Sequence, residues 1–195
     1  MISDKSIEVF VLAGGKSSRM GEEKGLMLLH NKPMIQYVLE QLSILKLPVQ
    51  IIANADDYTK FGYDTLKDII AEKGPMGGLL TAFHYAKSDC VLLISCDMPF
   101  ITSEIVSKLI FEVKDDEITA AYVQNEPNPL FAVYKKSLKN EVEKRIAAGN
   151  LQMKHLIKSF RHKRVEMDVY LNRNPNLFIN LNSKQDVNNI TDVWN

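Results

Sequence analysis

The sequence predicts an α/β fold, a three-layer α/β/α Rossmann-like domain around a mainly parallel sheet, and three observations predict it. Short apolar stretches recur at Val9–Ala13, which is continuous, at Val49–Ala53, broken only by Gln50, and at Val91–Ser95, the signature of buried strands. Stretches with helical spacing separate them, and alternation of this kind implies parallel strands joined by crossover helices. Glycine, lysine and aspartate cluster just after the apolar runs, and ligands in such folds bind at the carboxyl ends of the strands.

Val9–Ala13 ends in Gly14-Gly15, a buried strand running into a turn. Pro33 then stands at the start of Met34–Lys46, where apolar residues at 34, 35, 38, 39, 42 and 45 give helical spacing, and proline suits a first helical turn. Pro48 breaks that helix before the second strand, Val49–Ala53. Gly74-Pro75 and Gly77-Gly78 predict a loop, Leu79–Ala86 a helix, and Val91–Ser95 a strand closed by Cys96-Asp97-Met98-Pro99. Beyond it come a helix over Ser103–Glu112, strands over Ile118–Val123 and Leu130–Tyr134, a helix over Ser137–Ala147, and a short strand over Arg164–Met167. Ser183 is placed to cap a last helix from Lys184 towards Asp192. No repeat, linker or low-complexity tract divides the 195 residues, so one domain, 1–195, is expected.

Composition narrows the function. Lys plus Arg equals Asp plus Glu at 24 each, without the basic excess of a nucleic-acid binder, so an anionic ligand has to be held by a local cluster. Cys90 and Cys96 form no CxxC pair and no zinc-type group with histidine, and two isolated thiols fit packing roles in a reducing compartment. The N-terminal apolar run is too short for a signal segment, and no stretch approaches the roughly 18 apolar residues that span a bilayer. A cytoplasmic protein with no membrane or nucleic-acid partner is expected. His30, His84, His155 and His162 are scattered, and none pairs with Ser or Cys as a nucleophilic site would require.

The chemistry lies in Leu12-Ala-Gly-Gly-Lys-Ser-Ser-Arg-Met-Gly-Glu-Glu-Lys24. Gly14 and Gly15 let backbone N–H groups approach an anion closely, and Lys16, Arg19 and Lys24 place three cations within nine residues. The segment is not a Walker A loop, whose leading glycine would fall at Phe10, nor does it have the GxGxxG spacing of dinucleotide binders. Asp97, at the end of an apolar strand, is an oxygen donor suited to a hard cation, with a turn or capping aspartate as the alternative.

The string Leu-Ala-Gly-Gly-x-Ser-x-Arg-Met-Gly-x-x-Lys-Gly-Leu, followed by Asn31-Lys32-Pro33, resembles the N-terminal signature of the MobA family, the molybdenum cofactor guanylyltransferases, within the wider nucleotidyltransferases. Asp68 with Gly74-Pro75-Met76-Gly77-Gly78, Ser95–Phe100, Pro129–Ala132 and Phe178–Asn182 resemble the family's later blocks in order. The resemblance implies transfer of GMP from GTP to molybdopterin or the molybdenum cofactor, with loss of pyrophosphate and dependence on Mg²⁺. It implies that Leu12, Ala13, Gly14 and Gly15 hold the nucleotide through the backbone and that Lys24 and Arg19 neutralise its phosphates. Asp97 is then the metal ligand, Asn54 and Asp68 lie at the base, and Asn180 and Asn182 lie at the acceptor or the metal. Catalysis falls to Arg19, Lys24 and Asp97, and molybdoenzyme maturation proteins are possible partners.

Gly14 stands where relatives using CTP tend to carry alanine, and the room this leaves favours a purine. A cytidylyltransferase for the same cofactor, a sugar-phosphate nucleotidyltransferase and a non-catalytic nucleotide-binding carrier remain as alternatives. Glu22 and Glu23 lie beside the phosphate site and are expected to point to water; turned inward, they would put the assignment of Lys24 in doubt.

Overall fold

The computed structural model describes residues 6–13 and 23–191. In chain order the elements are β1 (Ile7–Leu12), β2 (Leu28–Leu29), β3 (Lys32–Pro33), α1 (Met34–Ile44), β4 (Val49–Ile52), β5 (Asp64–Leu66), α2 (Gly74–Tyr85) and β6 (Cys90–Ser95). They continue with α3 (Ser103–Phe111), β7 (Ile118–Val123), β8 (Glu126–Lys135), α4 (Lys139–Ala147), α5 (Met153–Ser159), β9 (His162–Glu166), α6 (Asp168–Leu171) and α7 (Lys184–Thr191). A seven-stranded sheet has the order β5-β4-β1-β6-β8-β7-β9, and β2 pairs with β3 in a small hairpin. Every neighbouring pair in the large sheet is parallel except those made by β8, which runs against β6 and β7.

Alternation along β1 builds the layers. Val9 and Val11 face a core shared with Ile35, Val38 and Leu42 of α1 and Ile105 and Leu109 of α3. Phe10 and Leu12 face the opposite core, with Leu79, Leu80 and Phe83 of α2, Val142 of α4 and Leu156 of α5. Helices therefore cover both faces, as the apolar strand runs predict. Glu8, on the buried strand β1, accepts the backbone N–H groups of Lys87 (2.8 Å) and Ser88 (2.7 Å) and so ties the α2–β6 connection to the sheet.

β5, α5 and α6 lie where the sequence predicts no element, β9 starts two residues before the expected Arg164–Met167, and two further segments depart in kind or length. The Gly74–Gly78 block is the first turn of α2 rather than a loop, with Pro75 inside that turn. A Cβ on Gly78 would lie 2.6 Å from Leu12 Cδ2, so the missing side chain lets this helix press onto the end of β1. Strand β8 is ten residues long and starts at Glu126, well before Leu130. Its register against β7 jumps between Ala120↔Ala132 and Ala121↔Asn128, and Pro129 falls within that irregularity while Pro127 pairs opposite Tyr122.

The sheet order places the ligand crevice. From β1 the chain moves through α1 to β4 and β5 on one side, then crosses by α2 to β6 on the other. The carboxyl ends of β1 and β6 therefore flank the point where strand order reverses, where open parallel sheets bind ligands.

Candidate nucleotide site

Three of the residues singled out in the sequence meet at that point. Asp97 follows β6 and is buried, and its backbone carbonyl accepts the N–H of Leu181 at 2.9 Å. Leu181 and Val187 pack with Met27, Leu29, Met34 and Phe100 in a third, small core. That core anchors the C-terminal segment beside the strand end. Lys24 Nζ then donates to Asn182 Oδ1 at 2.6 Å and lies 3.9 Å from Asp97 Oδ2. Residues 24, 97 and 182 thus form one polar cluster from three distant parts of the chain.

The local causes are visible. Lys24 opens a single 3-10 turn, Lys24–Leu26, and Gly25 within it is buried. A Cβ at Gly25 would approach Tyr58 Oη to 2.9 Å and Cys96 Sγ to 3.1 Å, so glycine lets this turn sit against the β6 end. Asn182 precedes α7, whose start is held by reciprocal bonds. Asp186 N–H donates to Ser183 Oγ (3.1 Å), and the Asp186 carboxylate accepts the N–H of both Ser183 and Asn182 (2.9 Å each). This is a capping box with aspartate in the third helical position, and those two N–H donors hold the Asp186 carboxyl below its ordinary range. The Ser183 cap expected from the sequence is therefore present. Asn180 is exposed, and it meets Asn182 through its backbone carbonyl, which accepts Asn182 Nδ2 at 3.3 Å.

A second pair forms at the carboxyl ends of β4 and β5. Asn54 Nδ2 donates to Asp68 Oδ2 (3.2 Å), and the Asp68 backbone N–H donates to Asn54 Oδ1 (3.0 Å). Buried Thr81 of α2 lies 3.4 Å from Asp68 Oδ1 and accepts the N–H of Ile69. Burial raises the Asp68 carboxyl above the ordinary aspartate range, and the bonds from Asn54 and Thr81 offset only part of that rise. Nothing about Thr81 in the sequence, an interior helical threonine, distinguishes it.

The remaining expectations divide in two. Those on Gly14, Gly15, Lys16, Arg19 and Glu22 lie outside the described residues. At the end of β1, Leu12 O accepts the Cys96 N–H and Ala13 N–H donates to Ile52 O, fixing where the glycine segment departs. Glu23 corrects an expectation. It does not face water but is half-buried, and Tyr58 Oη lies 3.3 Å from its Oε2. Tyr58 supplies the reason, since its hydroxyl is a donor set in an otherwise apolar wall. Cys96 is wholly buried, and burial, then the neighbouring Asp97, pushes its thiol well up, which makes it a neutral packing group.

The donor set fits a divalent metal of the magnesium type. Among the described residues Asp97 Oδ1 is buried and accepts no hydrogen bond, and a buried carboxylate oxygen left without a donor is costly unless a cation takes it. Among the described residues no three His, Cys, Asp or Glu side chains group as a metal cage. Mg²⁺ commonly relies on one or two carboxylates and draws its remaining ligands from phosphates and water.

The family described as MobA-like NTP transferase domain matches residues 9–165, which contain Lys24, Asn54, Asp68 and Asp97. The chain belongs to that family. A molybdenum cofactor guanylyltransferase of Vibrio parahaemolyticus is 34% identical over 184 residues, covering 91% of each chain. One from Histophilus somni is 30% identical over 195 residues, covering 97% of this chain and 98% of that one. Among solved structures, a protein of Aquifex aeolicus VF5 superimposes with a TM-score of 0.78 at 29% identity, covering 93% of this chain and 97% of its own. The MobA-like NTP transferases are nucleotidyltransferases, and here the Lys24 ammonium and the Asp97 carboxylate converge at the switch point of the sheet. Among the described residues, no helix is long and apolar enough to cross a membrane.

Proposed function

We propose that this protein transfers GMP from GTP to the terminal phosphate of molybdopterin or the molybdenum cofactor and releases pyrophosphate, acting in the cytoplasm as one domain. The observation that carries the reading is the convergence of Lys24, Asp97 and Asn182 at the β1/β6 switch point, in a chain whose full-length relatives are molybdenum cofactor guanylyltransferases.

An acceptor phosphate oxygen attacks the α-phosphorus of GTP; the new P–O bond forms as the bond to the pyrophosphate oxygen breaks. Lys24 exchanges its contact with Asn182 for the triphosphate and neutralises charge building on the leaving group. Arg19, reached by resemblance, shares that role. Asp97, with Asn182 as a second oxygen donor, would hold Mg²⁺, which supplies further charge neutralisation when bound. Asp68 accepts the N–H edge of guanine, and Asn54 and Thr81 keep its carboxylate turned to do so. Leu12 to Gly15 present backbone to the nucleotide, and Asn180 lies on the acceptor side. No covalent enzyme intermediate is required, because alignment and charge stabilisation suffice. Molybdoenzyme maturation proteins would receive the product.

The test is formation of the guanine dinucleotide product from GTP and molybdopterin, with CTP, ATP and UTP as competitors. Preference for CTP would replace this reading with cytidylyl transfer. Nucleotide binding without turnover on any acceptor would leave a carrier.

A further inference from the structure

The buried hydroxyl of Tyr58 occupies an unusual place. Tyr58 lies in the 3-10 turn Asp56–Phe61 after β4 and is wholly buried. Its Oη donates to Ala13 O at 2.8 Å and lies 3.3 Å from Glu23 Oε2. In the sequence these two residues flank the stretch that carries Gly14, Lys16 and Arg19. A phenol has one proton, so the two oxygens share a single donor. Burial, followed by Cys96 and Glu23, drives the phenol well above its ordinary range, so the group stays a donor throughout the working pH range.

The electrostatic consequence concerns Lys24. Glu23 and Lys24 are adjacent, and in the structure their side chains part. The carboxylate goes to Tyr58, and the ammonium goes to Asn182 and Asp97. Released from Tyr58, the Glu23 carboxylate would sit next to the ammonium that the triphosphate needs and would repel the triphosphate itself.

We propose that Tyr58 is a positioning residue for nucleotide binding: its hydroxyl holds the Glu23 carboxylate away from Lys24 while pinning Ala13 at the end of β1. The proposal rests on the nucleotidyl-transfer reading, but not on the identity of the base. It makes Glu23 a latent competitor for Lys24 and Tyr58 the group that removes the competition.

The experiment is steady-state pyrophosphate release with saturating molybdopterin as acceptor and GTP, CTP, ATP or UTP as the varied nucleotide, at fixed Mg²⁺. It uses the wild type, Tyr58→Phe, Glu23→Gln and the double variant, each with a thermal melt. Tyr58→Phe keeps the ring and loses only the oxygen. We expect KM for the nucleotide to rise about tenfold with kcat nearly unchanged, as loss of one hydrogen bond to a charged group entails. Glu23→Gln alone should leave KM unchanged or lower it. The double variant should return towards the wild-type KM, because the amide carries no charge to misplace.

A Tyr58→Phe enzyme with unchanged KM overturns the proposal, and so does a double variant as impaired as Tyr58→Phe. If Tyr58→Phe does not fold, Glu23→Gln decides the matter, and a raised KM in that variant overturns it. Should the wild type use CTP in place of GTP, the guanylyl reading fails and the same comparison is made with CTP. A wild type that turns over no nucleotide sinks both.

Discussion

Asp97 shows how one carboxylate serves two ends. Its backbone carbonyl binds Leu181, while its side chain keeps one buried oxygen without a donor among the described residues and the other 3.9 Å from Lys24 Nζ. Asp97→Asn preserves volume and removes the charge that a metal needs. Activity should fall by about 10² or more in kcat/KM, the scale seen when one charge-stabilising group is lost. A melt of the metal-free variant should show no loss, since the substitution relieves a buried, unsatisfied anion; a large loss of stability would mark Asp97 as structural instead. Asp68 gives a pH signature. Its carboxyl titrates above the ordinary aspartate range because of burial, and on the proposed reading only the ionised form offers both oxygens as acceptors to the N–H edge of guanine. The share of kcat/KM for GTP that depends on Asp68 is therefore complete above that raised pKa and is lost as pH falls through it. Stability moves the other way. Between the ordinary and the raised value the folded chain keeps a proton that the unfolded chain has released, so stability declines as pH rises through that window. Asp68→Asn should flatten both profiles and weaken the choice of guanine over other bases. A variant with the wild-type acid limb would exclude Asp68 from base recognition.

At the scale of elements, the site depends on short pieces more than on the long helices. The turn Lys24–Leu26 and the first turn of α7 place Lys24 and Asn182, and each is held by a few bonds. Ser183→Ala removes one side of the capping box and should cost about 1 kcal/mol of stability, with a rise in KM for GTP because Asn182 loses its fixed start of helix. Asp186→Ala, which frees the N–H of both Asn182 and Ser183, should raise KM further than Ser183→Ala does; equal effects would mean that the cap stabilises without positioning. The same elements show what is legible in a sequence. Ser183 is readable because a capping residue before a polar helix is a local pattern, and β1, β4 and β6 are readable because apolar runs of that length are hard to bury otherwise. The block Gly74–Gly78 misleads because glycine and proline signal a loop locally. What Gly78 answers to is a tertiary contact, Leu12 at 2.6 Å from where its Cβ would stand. The early half of β8 misleads for a similar reason, since Pro129 falls in a register shift that only the partner strand reveals. Tyr58 and Thr81 could not be picked out at all, because a buried hydroxyl has no signature until its acceptors are known.

Over the whole molecule the sheet topology is what makes a site out of these parts. The chain leaves β1 towards β4 and returns by α2 to β6, so the ends of strands far apart in sequence become neighbours around one crevice. The antiparallel β8 extends the same edge: its Asn128 lies 3.6 Å from Met98 Sδ, one residue beyond Asp97. Such a crevice joins pieces from positions 24, 54, 68, 97 and 182, so a ligand filling it cross-links most of the fold. Binding to the native state alone raises stability by RT ln(1 + [L]/Kd), about 2.7 kcal/mol at a hundred times Kd. For a chain of this size that is a rise in Tm of about 5–10 °C. GTP with Mg²⁺ should produce that shift in the wild type, and CTP at equal concentration should produce less. In Asp97→Asn the Mg²⁺-dependent part should vanish while any shift from GTP alone remains, because Lys24 and Asp68 are still in place. An undiminished Mg²⁺ effect in Asp97→Asn would move the metal off Asp97, and equal shifts from GTP and CTP would remove Asp68 as the discriminating group.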